Sequence, residues 1–121
     1  MKQLCSFLAS ALLVAGAWAQ TSVVTFEVNM ENETVSSTGV YLGGGVMGDA
    51  TAYQLTDPDG DNVYTVDVQL ANGTTGNYIF LNGNCPDWSC KENIAGLPCS
   101  DPNNWDDRTL PVIAGDMVIS T

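Results

Sequence analysis

Between residues 63 and 70 apolar and polar side chains alternate without a break. Tyr64, Val66, Val68 and Leu70 fall on one side of an extended chain, and Thr65, Asp67 and Gln69 fall on the other. A repeat of two is the period of a β-strand with one buried face and does not fit the 3.6-residue turn of a helix. The same pattern occurs earlier, where Val24, Phe26, Val28 and Met30 alternate with Thr25, Glu27 and Asn29 and predict a strand over residues 23–30. Shorter strands are predicted at residues 40–42, around Tyr53 and Leu55, and at residues 77–81, 109–113 and 116–120. Dense turn chemistry separates them, in Asp57-Pro58-Asp59-Gly60-Asp61-Asn62 and in Asn72, Gly73 and Gly76. No segment has a helical period. The pattern therefore predicts an all-β fold, an antiparallel β-sandwich of immunoglobulin-like outline with about seven strands.

The first 19 residues have a different character. Lys2, an apolar stretch from Leu4 to Ala17, and small residues at Ala17 and Ala19 form the pattern of an export leader cleaved after Ala19. The stretch is too short to cross a bilayer comfortably, and no later segment is long enough, so no membrane insertion is expected. The expected location is secreted or on a bacterial cell surface. Residues 1–19 are accordingly set outside the fold, and residues 20–121 suffice for one core but not two. The chain stops at Thr121 directly after a β-rich segment. This suggests a module cut at its C-terminus from a longer parent carrying a catalytic or anchoring domain.

The formal charge is −11, with 14 acidic residues against three basic ones. Nucleic acid is excluded as a partner, because its phosphates would be repelled. Anionic polysaccharides and anionic membranes are disfavoured for the same reason, which leaves neutral glycans, cations and basic partners. The chain has no histidine, and with it go the commonest general base, the commonest zinc ligand and every histidine-dependent triad.

One segment breaks the regular spacing of strands. Residues 82–107 are too long for a plain connection and contain Cys85, Cys90 and Cys99 together with Trp88 and Trp105. In an exported chain these cysteines point to disulfides rather than zinc. Cys85 and Cys90 are predicted to pair, since four residues separate them and Pro86 favours a bend; Cys99 is expected to pair with a residue beyond Thr121. A flat indole beside polar groups is a platform for a sugar face. Trp88 and Trp105 are therefore the candidate stacking residues, with Asn82, Asn84, Asp87 and Asn104 as candidate hydrogen-bond partners for hydroxyls. Asp106 and Asp107 are neighbours in an extended chain and point to opposite sides, unlike the facing carboxyls of a glycosidase, so no catalysis is expected.

Two further features have plain readings. Gly43, Gly44 and Gly45 lack dinucleotide-loop spacing and have no helix after them, so they predict close backbone packing or a bend. Asp57, Asp59 and Asp61 are the only calcium candidates, but the twelfth position of such a loop is Val68 and a strand follows. A solvated hairpin turn with no metal and no other cofactor is the expected reading.

The succession VTFEVNM, GVYLGGG, LTDPDGDNVYTVDVQLANG, NYIFLNG and WDDRTLPV resembles the starch-binding and glycogen-binding carbohydrate modules, closest to exported versions of the Bacteroidetes type. The resemblance implies a starch-binding-domain-like sandwich and a neutral glycan ligand such as an α-glucan. Asp107-Arg108 stands where that family has an Asn-Arg type pair, which adds Arg108 to the candidate contacts. Val46, Met47, Gly48 and Asp49 stand where its glucan-binding forms usually carry a tryptophan. Two other roles for such a sandwich are a structural or adhesive surface domain with a protein partner and a calcium-stabilised spacer.

Overall fold

The computed structural model describes residues 20–121 throughout and the backbone of residues 8–13. Among the described residues nine strands follow in chain order: β1 Leu8–Leu13, β2 Thr21–Asn29, β3 Val40–Gly43, β4 Tyr53–Leu55, β5 Val63–Ala71, β6 Gly76–Asn82, β7 Ser100–Asp101, β8 Asp107–Leu110 and β9 Gly115–Ser120. They form two sheets, ordered β1-β9-β2-β5 and β4-β3-β6-β8-β7. All pairings are antiparallel except β2 with β9. The fold is the β-sandwich that the alternation predicts.

Apart from shifts of one or two residues at strand ends, three features differ from expectation. Leu8–Leu13 pairs along the outer edge of β9, so six residues set outside the fold extend a sheet; the rest of the proposed leader lies outside the described residues. The strand predicted at 109–113 runs instead over Asp107–Leu110, because Pro111 has no N–H to continue the ladder. A two-residue strand, β7, appears inside the long connection.

The main core lies between the sheets. Val24, Phe26 and Val28 of β2 are completely buried, as are Val40, Leu42 and Phe80 from the opposite sheet; each such side chain contributes about 1.5–3 kcal/mol relative to exposure. Phe26, Tyr78 and Phe80 meet edge to face, with ring centroids 5.1 and 5.8 Å apart. Burial in that core pushes the Tyr78 hydroxyl up to about 12.

β6 is the strand that decides the architecture. Tyr78, Ile79, Phe80 and Leu81 are all buried although consecutive side chains point to opposite faces. Tyr78 and Phe80 join the main core, while Ile79 and Leu81 join a second cluster with Ala50 and Ile94, flanked by half-buried Cys85, Cys90 and Cys99. The long connection thus folds back over the outer face of the sheet. Two of its segments lie against β6: Lys91 bridges Leu81, and further along β8 pairs with Gly76, Asn77 and Tyr78.

The predicted Cys85–Cys90 disulfide is present. Cys99 is also disulfide-bonded. The glycines act as predicted, since a Cβ on Gly43 would lie 2.3 Å from the Asp49 carbonyl oxygen and one on Gly45 2.0 Å from that of Asn77. Among the described residues, no helix is long and apolar enough to cross a membrane.

Candidate functional site

Period two also sorts the side chains of the two segments that lie against β6. Glu92 and Arg108 turn inward, toward the main core, and Lys91 and Asp107 turn outward. The result is a pair of ion pairs back to back through the sheet. Inside, Arg108 Nη2 is 2.6 Å from Glu92 Oε1, with 2 % and 0 % of the two side chains exposed. Outside, Lys91 Nζ is 2.6 Å from Asp107 Oδ1, with 22 % and 10 % exposed.

The outer pair forms the base of a groove of about 480 Å³, within the usual size of a small-ligand site. Its floor is bare backbone at Gly44, Gly45 and Gly48, and Trp88 and Trp105 complete the lining. Gly44 explains why the floor is open: a Cβ there would stand 3.3 Å from Asp107 Oδ2 and 3.5 Å from the Trp88 ring. Trp105 is 86 % exposed and Trp88 40 %. These are the largest apolar side chains in the long connection, yet they are left toward solvent.

Both indoles stand on unusual backbone. Trp88 has φ +69°, Trp105 +60° and Asp106 +59°, left-handed values that bulky residues rarely adopt and that concentrate at functional sites. Local bonds hold them. Trp88 N–H donates to the Cys85 carbonyl at 2.9 Å, Lys91 N–H donates to the Trp88 carbonyl at 3.1 Å, and Asp106 N–H donates to the Asp101 carbonyl at 3.1 Å. Lys91 Nζ also donates to the Trp105 carbonyl, so one ammonium joins both tryptophan-bearing loops to Asp107.

Trp88 and Trp105, the candidate stacking residues, line the same groove, and the candidate polar partners are placed as follows. Asn82 is occupied by Thr34 and Ser36, its amide donating to one carbonyl and its oxygen accepting from the other's N–H. Asp87 accepts from Ser89 N–H, and the Ser89 hydroxyl and N–H hold its carboxyl below the ordinary range. Asn104 donates to Asp101, which Asn104, the Asn103 N–H and Asn77 together hold low. Exposed Asn84 ties the loop to Thr38 through its backbone N–H. Arg108 is a correction: it is 2 % exposed, with its guanidinium 5.5 Å over the Phe80 ring, and cannot contact a ligand on the surface. The charged residues that line the groove are Lys91 and Asp107.

Asp57, Asp59 and Asp61 lie together, their nearest oxygens within 4.8 Å of one another. Hydrogen bonds with the carboxyls of Asp57 and Asp61 raise Asp59. Asp57 accepts from the N–H groups of Asp61 and Asn62, and Asp61 from that of Val63. These oxygens already organise the turn. Thermal melts with chelator and with millimolar calcium are therefore expected to coincide. Saturation at about 100 times the dissociation constant would add roughly 2.7 kcal/mol, so a rise of several degrees abolished by Asp59→Ala would overturn this expectation.

No protein-family model, curated protein or solved structure matches this chain. Its class rests on its own architecture, a β-sandwich with an aromatic groove on the outer face of one sheet.

Proposed function

We propose that the chain is an exported, non-catalytic carbohydrate-binding module that holds a neutral glycan between Trp88 and Trp105. The observation that carries this reading is a pair of solvent-facing indoles, held on left-handed backbone, at the rim of a groove with a hydrogen-bonding base. The charge distribution supports a neutral ligand. Beyond residue 19 the only cationic side chains are Lys91 and Arg108; Lys91 is paired with Asp107, and Arg108 is buried against Glu92. An anionic sugar would meet an acidic surface with no free positive charge to hold it. The same pairing removes Asp107 as a free acid or base. The Cys85–Cys90 disulfide fits an oxidising, extracytoplasmic setting, in line with the leader pattern of residues 1–19.

If a pyranose face removes about 100 Å² of indole surface from water, stacking contributes roughly 2.5 kcal/mol before the cost of ordering. Trp105 is nearly free of protein contact, so Trp105→Ala is expected to leave the melting temperature unchanged. Retention on insoluble granular starch should fall by at least tenfold, about 1.4 kcal/mol. Equal retention by parent and variant on starch, and on an insoluble β-glucan run in parallel, would remove the reading.

A further inference from the structure

Trp88 stands inside the ring that the Cys85–Cys90 disulfide closes, and Lys91 is the first residue outside it. Both wall the groove. The disulfide itself lies at the opposite end of the ring, against the small cluster on the outer face of β6. It is seated there on Gly83, where a Cβ would stand 3.0 Å from Cys90 Sγ and 3.4 Å from Cys85 Sγ. The Cys90 carbonyl accepts from Asn82 N–H at 3.0 Å, which binds the return of the loop to the end of β6. The tip has few other ties. Pro86, Asp87, Trp88 and Ser89 are all exposed, and the bonds nearest Trp88 run to Cys85 and Lys91. Its left-handed backbone is thus supported mainly by closure of the ring.

We propose that Cys85 and Cys90 are positioning residues for the groove: their disulfide holds Trp88 against Gly44 and fixes where Lys91 leaves the loop, while the sandwich does not need it to fold. The core between the sheets contains neither cysteine. This inference rests on the glycan reading for its effect on binding, but the restraint on Trp88 is independent of any ligand. With the bridge open, the tip can leave the left-handed region, where a bulky residue is disfavoured, and the indole moves away from the groove floor.

The test compares the full oxidised chain with Cys85→Ser/Cys90→Ser and with Trp88→Ala. A double variant is preferable to a reductant, which would also attack the disulfide of Cys99. Two readouts are taken: retention on granular starch, and the Trp88 indole N–H resonance with its heteronuclear relaxation. The double serine variant is expected to keep the parent's backbone spectrum outside residues 83–92 and to show a shifted, motionally averaged Trp88 signal. It should lose at least tenfold in retention, approaching Trp88→Ala. An unmoved, rigid Trp88 signal would overturn the proposal, as would retention within twofold of the parent where Trp88→Ala binds weakly. Collapse of the whole spectrum would also overturn it, by making the bridge a staple of the entire fold. If the parent and Trp88→Ala are equally inert toward starch and toward the insoluble β-glucan, the glycan reading fails alone and the indole signal still decides whether the disulfide positions Trp88.

Discussion

Arg108→Ala is expected to destabilise the domain by about 3–5 kcal/mol, the cost of leaving one partner of a buried ion pair without the other. Against the 5–15 kcal/mol total of an ordinary domain this is a large share. Arg108 Nε and Nη2 both converge on Glu92 Oε1, at 2.7 and 2.6 Å, while Glu92 Oε2 is buried with no hydrogen-bond partner. Removing the guanidinium leaves the whole carboxylate beside Phe80 without compensation, and it removes the contact of Nη1 with Cys99 Sγ at 3.6 Å. Urea unfolding of parent and variant at pH 9, well above the value of about 7 at which Glu92 titrates in the folded parent, measures the loss. A difference under about 1 kcal/mol, the range of an exposed pair, would show that the site is wetter than its geometry indicates.

The second large effect is one of pH. Burial pushes Glu92 up to about 7 even with Arg108 beside it, because the guanidinium serves one oxygen and leaves the other dry. The folded chain therefore binds a proton in the interval between about 4.5 and 7 that the unfolded chain has released. Stability is then greatest below the unfolded value and falls as pH rises through about 7. The loss over the interval is about 3 kcal/mol, from roughly 1.4 kcal/mol per unit of pKa difference. Below about 4 the trend reverses, since Asp87 and Asp101 are held low in the folded state and lose their hydrogen-bonded anionic form there. Chemical denaturation at half-unit steps from pH 4.5 to 8 should show the decline, and Glu92→Gln should flatten it. A profile that rises over this interval would mean that the Arg108 attraction outweighs desolvation. The two predictions are linked: the cost of Arg108→Ala should shrink in acid, where Glu92 can take up a proton.

Much of the fold was legible in one dimension. The alternation in residues 24–30 is that of β2, with Val24, Phe26 and Val28 completely buried. The alternation in residues 63–70 located β5, but only Val68 there is fully buried, while Tyr64, Val66 and Leu70 are half-buried against the core. β5 is the edge of its sheet, and an edge strand packs on fewer neighbours. The run Tyr78-Ile79-Phe80-Leu81 has no alternation, and its meaning appears only once residues 83–106 are seen to cover its outer face.

The aromatic lining of the groove was legible in the sequence, and its charged base was not. Trp88 and Trp105 were singled out because a long, cysteine-bearing connection contains them, and both line the groove. Of the Asp107-Arg108 pair the resemblance points to Arg108, whereas the residue that lines the groove is Asp107. Adjacent residues in a strand face opposite sides, so the choice depends on which face of β8 meets the core, and that is set by its register with β6. Lys91 was missed because nothing near it in sequence indicates that its ammonium joins the Trp105 carbonyl to Asp107, 14 and 16 residues further on. Local chemistry determined the strands, the turns, the acidic surface and the Cys85–Cys90 bridge, because each depends on residues within a few positions of one another. The groove, the two ion pairs and the burial of Arg108 were decided only in three dimensions. They require the long connection to lie back on β6, and the pairing of distant segments there assigns each side chain to the core or to the solvent.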